Sequence, residues 1–360
     1  REKRELPLWV GELYLEYHRG TYTSMARNKK YNRQSEFLLH NIEMLSVINA
    51  WNSGSSYPRE KLEELWKTVL KNQFHDILPG SGIREIYEDS RREYEQVLKE
   101  GCALRMHEME QAAAEVNAEE GELIIFNQNG FKASDYVYVE SPADVSLKME
   151  KTWDGKGILY VKDVPSSGYK TVSETEKAVG GFLHVSLDRV ETGDMRVMLN
   201  GAGQFTSIYD RKQERELLPD GEYANRLVTY EDRPHNYDAW DINDYYRMKE
   251  WPLDEDAEIS VIEQNLLRVV LRVRRKYLSS VITQDLIFYH EGTRIDIVSH
   301  VDWKEKNILL RGYVPVNIHA EQATYEIQYG NVQRPTHYNT SWEQARFEVC
   351  AHKWIDMSED

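Results

Sequence analysis

The sequence predicts an α+β multidomain protein, a three-helix bundle followed by a large antiparallel β-sandwich. Three observations carry this. The chain has 360 residues, room for two or three domains at roughly 150 residues each. From about residue 24 to residue 116, apolar residues recur at helical spacing. From about Glu120 the texture changes to short β-rich segments divided by Gly, Asn, Asp and Pro, the spacing of antiparallel sheets.

Residues 1–23 read as a short extended entry segment bracketed by Gly11 and Gly20. A first helix follows from about Ser24 to Trp51, with Phe37, Leu38, Ile42, Leu45 and Ile48 on one face. "NSGSSYP" breaks it and puts Pro58 at the first helical position of the next. That second helix runs to about Phe74 with Leu62, Leu65, Trp66, Val69 and Leu70 on its stripe, and Pro79-Gly80 end it. The third spans roughly Gly82 to Val116 along Ile83, Ile86, Tyr87, Tyr94, Val97 and Leu98. Short connections make the three an antiparallel bundle. Residues 1–118 thus form one region. Residues 119–360 form the β-sandwich, expected to be incomplete at its end, with strands in "GELIIFNQNG", "YVYVE", "KGILYVKDV", "GFLHVSLDRV", "MRVMLNGAGQFTSIYD", "LLRVVLRVRRKYL", "VITQDLIFYHEGTRIDIVSHVDW" and "LLRGYVPVNI". The basic run from Leu271 to Leu278 reads as a strand with a solvated face.

Composition narrows the function. A net charge of −16 argues against nucleic-acid and anionic-membrane partners, which the average field would repel. No apolar run approaches the roughly 20 residues that span a bilayer. The chain opens "REKREL" without a methionine, which reads as a processed or truncated start. Only two cysteines occur, Cys102 and Cys350, so a disulfide framework is not expected and a cytoplasmic location fits. The Asn339-Thr340-Ser341 sequon is then accidental. Against 8 Phe stand 23 Tyr and 9 Trp, rings with an apolar face and a hydrogen-bonding edge that suit carbohydrate as well as protein surfaces.

Eleven histidines are present, but no HExxH, no Cys-x-x-Cys and no dinucleotide-type glycine loop. His75 and Asp76 fall where the second helix ends, in "NQFHDILPGSG". As neighbours they do not chelate one ion from regular helix geometry. A helix end serves equally to cap the helix or to point both groups into a cleft.

"GELYLEYHRGTYTS" (11–24), followed by "NQFHDILPGSGI" (72–83), resembles the middle of a glycoside hydrolase family 38 α-mannosidase of the bacterial and cytosolic branch. "ANRLVTYEDRPHNYDAWDI" (224–242), "YGNVQRPTHYNTSWEQARFEV" (329–349) and "CAHKWIDMSE" (350–359) resemble the C-terminal region of the same family. The resemblance implies a retaining, Zn2+-dependent hydrolase of α-linked mannose. It puts His75 among four zinc ligands, two His and two Asp, and turns Asp76 toward the sugar hydroxyls. It implies that the other ligands and the nucleophile lie in an N-terminal α/β domain that these residues do not match, so the nucleophile is absent from this chain and the fragment alone is inactive. The partners implied are an α-mannoside and that missing N-terminal catalytic domain; a homo-oligomer is compatible.

Other positions keep two readings. Glu12, beside Gly11 and Trp9, is the acid/base choice, and Glu16 shares its side of an extended segment; the alternative is a solvated charged face. Tyr22 and Arg19 contact substrate, or Arg19 pairs with Glu16. Asp238, Trp240 and Asp241 bind and stack a pyranose, or pack a domain interface. Arg334, His337 and Asn339 share a polar loop open to either reading. In a second class altogether, a non-catalytic carbohydrate-binding or scaffolding module, His75 is structural.

Overall fold

The computed structural model describes residues 6, 8–14, 16–141, 147–173 and 181–359. Three long helices come first: α1 (Ala26–Ser53), α2 (Arg59–Asn72) and α3 (Arg84–Ala114). Leu38, Leu39, Ile42, Leu62, Leu65, Val69, Tyr94 and Val97 form their common core. Gly54 ends α1 at φ 70°, a left-handed stop that glycine takes without strain. Pro58 sits at the N-cap of α2, one position before the expected one.

Three expected core residues lie outside. Phe37, Leu70 and Ile83 are exposed. Phe37 lies under Arg33 and Lys353, the latter arriving from the far end of the chain. Ile83 is the N-cap of α3, beyond the helical stripe. The buried face of α1 instead runs through polar residues as well, namely Asn28, Asn32, Ser35, Ser46 and Asn49. The three asparagines are hydrogen-bonded, which offsets the desolvation cost of burying them, while the Ser35 and Ser46 hydroxyls are buried without a partner. Ser90 Oγ donates to Asn28 Oδ1 at 2.7 Å, Gln73 Nε2 to Asn32 Oδ1 at 2.9 Å, and Asn49 Nδ2 to Glu108 Oε2 at 2.8 Å. The network joins α1, α3 and the end of α2, so it fixes their register as well as their contact.

The remainder is built of antiparallel sheets. Leu123–Asn127 pairs with Gly168–Val172, and Ala133–Val139, Gly157–Val164 and Glu150–Lys151 make a three-stranded sheet beside it. Leu159, Val161, Val164 and Val172 close a core between them. The main sandwich faces a five-stranded meander, His184–Val185 through Arg215–Glu216, onto a four-stranded sheet of Glu258–Gln264, Arg268–Tyr277, Ser280–Tyr289 and Ile295–Asp302. Val190, Met195, Val197 and Phe205 meet Val269, Leu271, Leu286 and Phe288 in its interior. Ser280–Tyr289 shows the period-2 burial that such a layer requires. Arg275, within the basic run, is buried and donates to the carbonyls of Leu253 and Ala202, so that face is not wholly solvated.

Two further three-stranded sheets lie toward the C-terminus. One orders Glu250–Pro252, Arg226–Glu231 and Ile308–Tyr313, and the other Gly330–Pro335, Gln322–Ile327 and Ile355–Asp356. The short helix α4 (Ser341–Ala345) is capped by Thr340 with Glu343 in a capping box, which gives the "NTSWE" stretch a local role. Both cysteines are free thiols. The architecture is the expected α+β one of a bundle followed by antiparallel sheets.

Candidate functional site

Three segments far apart in sequence meet around one short turn. Gly20–Tyr22 forms a single 3₁₀ turn just before α1. Its Gly20 and Thr21 amides donate to the Trp240 carbonyl at 2.8 and 3.2 Å, and Ser24 Oγ donates to the Ala239 carbonyl at 3.1 Å. On the other side, Asn28 Nδ2 donates to the Ile77 carbonyl at 3.4 Å, and Gly80 lies against the Ser24 backbone. The 20–24 turn is therefore clasped between the loop after α2 and the 237–241 loop. A Cβ on Gly20 would lie 3.1 Å from the Trp240 and Asp241 backbone, which explains the glycine at the start of the turn.

The loop after α2 is a run of tight turns. Its Ile77 and Leu78 amides donate to the Phe74 carbonyl at 2.8 and 3.1 Å, and Gly80 N donates to the Ile77 carbonyl at 3.2 Å. Tyr87 Oη of α3 donates to the carbonyls of Asp76 and Ile77 and accepts from Gly82 N at 2.9 Å. With its backbone so fixed, the loop presents His75 and Asp76 outward, their side chains 73% and 44% exposed. His75 Nε2 lies 3.2 Å from Asp76 Oδ2, and the Phe74 ring lies 4.3 Å from the imidazole. A cleft of 450 Å³ opens beside the loop, with Arg27, Gly80, Gly82 and Arg84 in its wall.

The 237–241 loop turns at Tyr237, at φ 58°, and closes with Trp240 N donating to the Tyr237 carbonyl at 2.7 Å. Asp238 is exposed, and Trp240 is half-buried with its ring edge-on to His18 at 5.0 Å. Asp241, expected among the sugar-facing carboxylates, is instead 2% exposed. It holds Arg19 Nη1 at 3.4 Å and accepts from Asn243 Nδ2 at 3.3 Å, so its lone pairs serve the interface and not a ligand. Arg19, likewise, pairs with Asp241 and not with Glu16, and also donates to Tyr14 Oη and the Ala345 carbonyl. Tyr22 is half-buried, and burial pushes its phenol up to about 12, so it stays a neutral hydroxyl.

Glu12 has a different partner from the one a proton donor needs. Arg334 grips it bidentately, Nε to Oε2 and Nη2 to Oε1, both 2.9 Å, and this holds its carboxyl below the usual carboxylate range. An acid catalyst requires the opposite shift. In this arrangement Glu12 ties the entry segment to the strand Gly330–Pro335. Arg334 is thus a structural partner, while His337 lies 3.4 Å from Glu343 beside α4. A carboxyl raised by burial, with Asp238 adding to the rise, occurs at Asp232, a residue that no spacing in the sequence singles out.

Among the described residues, no group of three or more His, Cys, Asp or Glu is placed to hold a metal ion. His75 offers an accessible imidazole, a fit for one position of a zinc site whose other donors come from elsewhere. Among the same residues no helix is long and apolar enough to cross a membrane.

The bundle and the sheets correspond to two domains known from a glycoside hydrolase family. Residues 16–112 match the alpha mannosidase middle domain, and residues 190–360 match the glycosyl hydrolases family 38 C-terminal domain. The chain belongs to family 38, of which it carries these two domains. It is 33% identical over 382 residues to human Alpha-mannosidase 2C1, covering 99% of this chain and 34% of that protein. It is 32% identical to Alpha-mannosidase G of Dictyostelium discoideum, covering 99% and 37%. An Enterococcus faecalis protein in glycosyl hydrolase family 38 shares the fold, with a TM-score of 0.70 at 16% identity over 91% of this chain and 49% of that one. The chain spans about a third of the length of the curated relatives it matches.

Proposed function

We propose that these residues form the middle and C-terminal part of a retaining, zinc-dependent α-mannosidase that removes terminal α-D-mannose from oligosaccharides or glycoconjugates in the cytoplasm. The observation that carries this reading is the exposed His75–Asp76 pair, held on a rigid turn by the same segments that carry the family resemblance. On this reading His75 is one zinc ligand, and zinc, when bound, supplies Lewis acidity and a fixed contact for sugar hydroxyls. Asp76, with a half-exposed carboxylate, accepts hydrogen bonds from those hydroxyls, and Asp238 and Trp240, on the loop at the other side of the 20–24 turn, are the further sugar-contact candidates. Retention requires two carboxylates roughly 5–5.5 Å apart. We assign the nucleophile and the remaining zinc donors to residues outside these 360, in the portion that the longer relatives carry.

The test is hydrolysis of an aryl α-mannoside by the protein at its relatives' full length, compared with Asp76→Asn. Loss of one sugar-hydroxyl acceptor lowers kcat/KM by roughly ten- to a hundredfold, the cost of a charged hydrogen bond at about 1.5–3 kcal/mol. Mannose binding without hydrolysis in the full-length protein would favour a non-catalytic module instead.

A further inference from the structure

Lys29 stands in the first turn of α1, where the positive end of the helix disfavours a cation. It is half-buried, and that burial pushes its ammonium down to about 8. No carboxylate pairs with it among the described residues. Its three N–H donors are nonetheless all used, by the carbonyls of Ser24, Leu78 at 2.8 Å and Pro79 at 3.2 Å. Two of those carbonyls close the loop that presents His75 and Asp76. The third belongs to the turn that holds the 237–241 loop. A cation placed against the dipole and away from water, yet fully satisfied by backbone oxygens of two separate segments, is a clamp.

We propose that Lys29 is a positioning residue, whose ammonium ties the Leu78–Pro79 backbone to Ser24 and so sets where His75 and Asp76 point. Its catalytic consequence rests on the function proposed above, but the clamp itself does not. The experiment is Lys29→Met in the chain, read by hydrogen exchange. The amides of Ile77, Leu78 and Gly80, each bonded within the loop, exchange at least about tenfold faster, while core amides of α1 and α3 keep their protection. Unchanged exchange in the loop overturns the proposal.

A second measurement needs no variant. In the native chain the acetylation rate of Lys29, divided by its free-amine fraction at the assay pH, is at least about tenfold below that of its exposed neighbour Lys30 treated the same way, and equal corrected rates overturn the clamp. In the full-length protein the variant lowers kcat/KM for an aryl α-mannoside about tenfold with its zinc content retained. Full activity despite faster loop exchange refutes the link to the site. If the unsubstituted protein itself hydrolyses nothing, the function proposed above fails, and the exchange result alone decides the clamp.

Discussion

Replacing Gly80 by alanine adds a single methyl group at the tightest point of the clasp. A Cβ built there lies 2.7 Å from Ser24 O and 2.8 Å from both Ser24 C and Ser24 Cβ. Carbon atoms in ordinary contact sit about 3.5–4.0 Å apart, and two of these three neighbours are backbone atoms that cannot swing aside. The φ of Gly80 is +98°, outside the region L-residues favour, which adds about 1–3 kcal/mol of strain. Overpacking adds a further 1–3 kcal/mol, roughly. Against these, alanine gains about 0.4–1 kcal/mol by restricting the unfolded chain. The net expectation is about 1–5.5 kcal/mol against the docked loop.

Two other glycines separate the contributions. Gly130→Ala meets nothing within 4 Å and requires no positive φ, so it is neutral or slightly stabilising. Gly54→Ala meets nothing either but keeps φ +70°, so it carries strain alone, about 1 kcal/mol. The assay is native-state hydrogen exchange at Leu78 and Gly80 for the Gly80 variant, with denaturant unfolding for all three. The order Gly80, Gly54, Gly130 in falling cost is expected, with the first expressed as local opening. A Gly80 variant indistinguishable from the Gly130 variant would refute the close packing of the loop on Ser24.

Other outcomes follow from single contacts. Arg268 and Glu263 form a buried bidentate pair at 2.6 and 2.8 Å, with side chains 6% and 4% exposed. Arg268→Met strands the carboxylate, and because Asn265 and Trp153 still donate to it, the loss falls at the low end of the range for such pairs, about 3 kcal/mol by denaturant unfolding. Glu12 is held below its ordinary value of 4.5 chiefly by the hydrogen bonds from Arg334. Its contribution is therefore present above pH 4.5 and lost as pH falls through the lowered value, worth about 0.5 kcal/mol at this partly exposed site. Cleavage of residues 8–14 by an acid-active protease, relative to its cleavage of an unfolded reference at the same pH, rises on acidification, and Glu12→Gln removes that dependence.

The bundle was legible because its apolar residues keep a helical period, and Leu38, Ile42, Leu65, Val69 and Tyr94 lie in its core. Phe37 defeats the same reasoning, since it stays half exposed and meets Lys353, over three hundred residues away, in place of the bundle core. The strand Glu258–Gln264 lacks visible alternation because it is a sheet edge with one buried residue, Glu263. Arg226–Glu231 is hidden inside a stretch that reads first as a motif. At the site, His75 and Asp76 could be picked out because a helix stop frames them. The Arg19–Asp241 pair spans 222 positions and leaves no local signal. Lys29 is harder still, since a lysine near a helix start looks like any solvated charge until the three carbonyls around it are seen.

The proposed function turns on His75 serving as one ligand of a zinc site. Metal content and aryl α-mannoside hydrolysis, measured together on the full-length protein and its His75→Ala variant, test it most directly. About one zinc per chain is expected, with metal and activity both lost in the variant. A variant that keeps its zinc and its rate would contradict it.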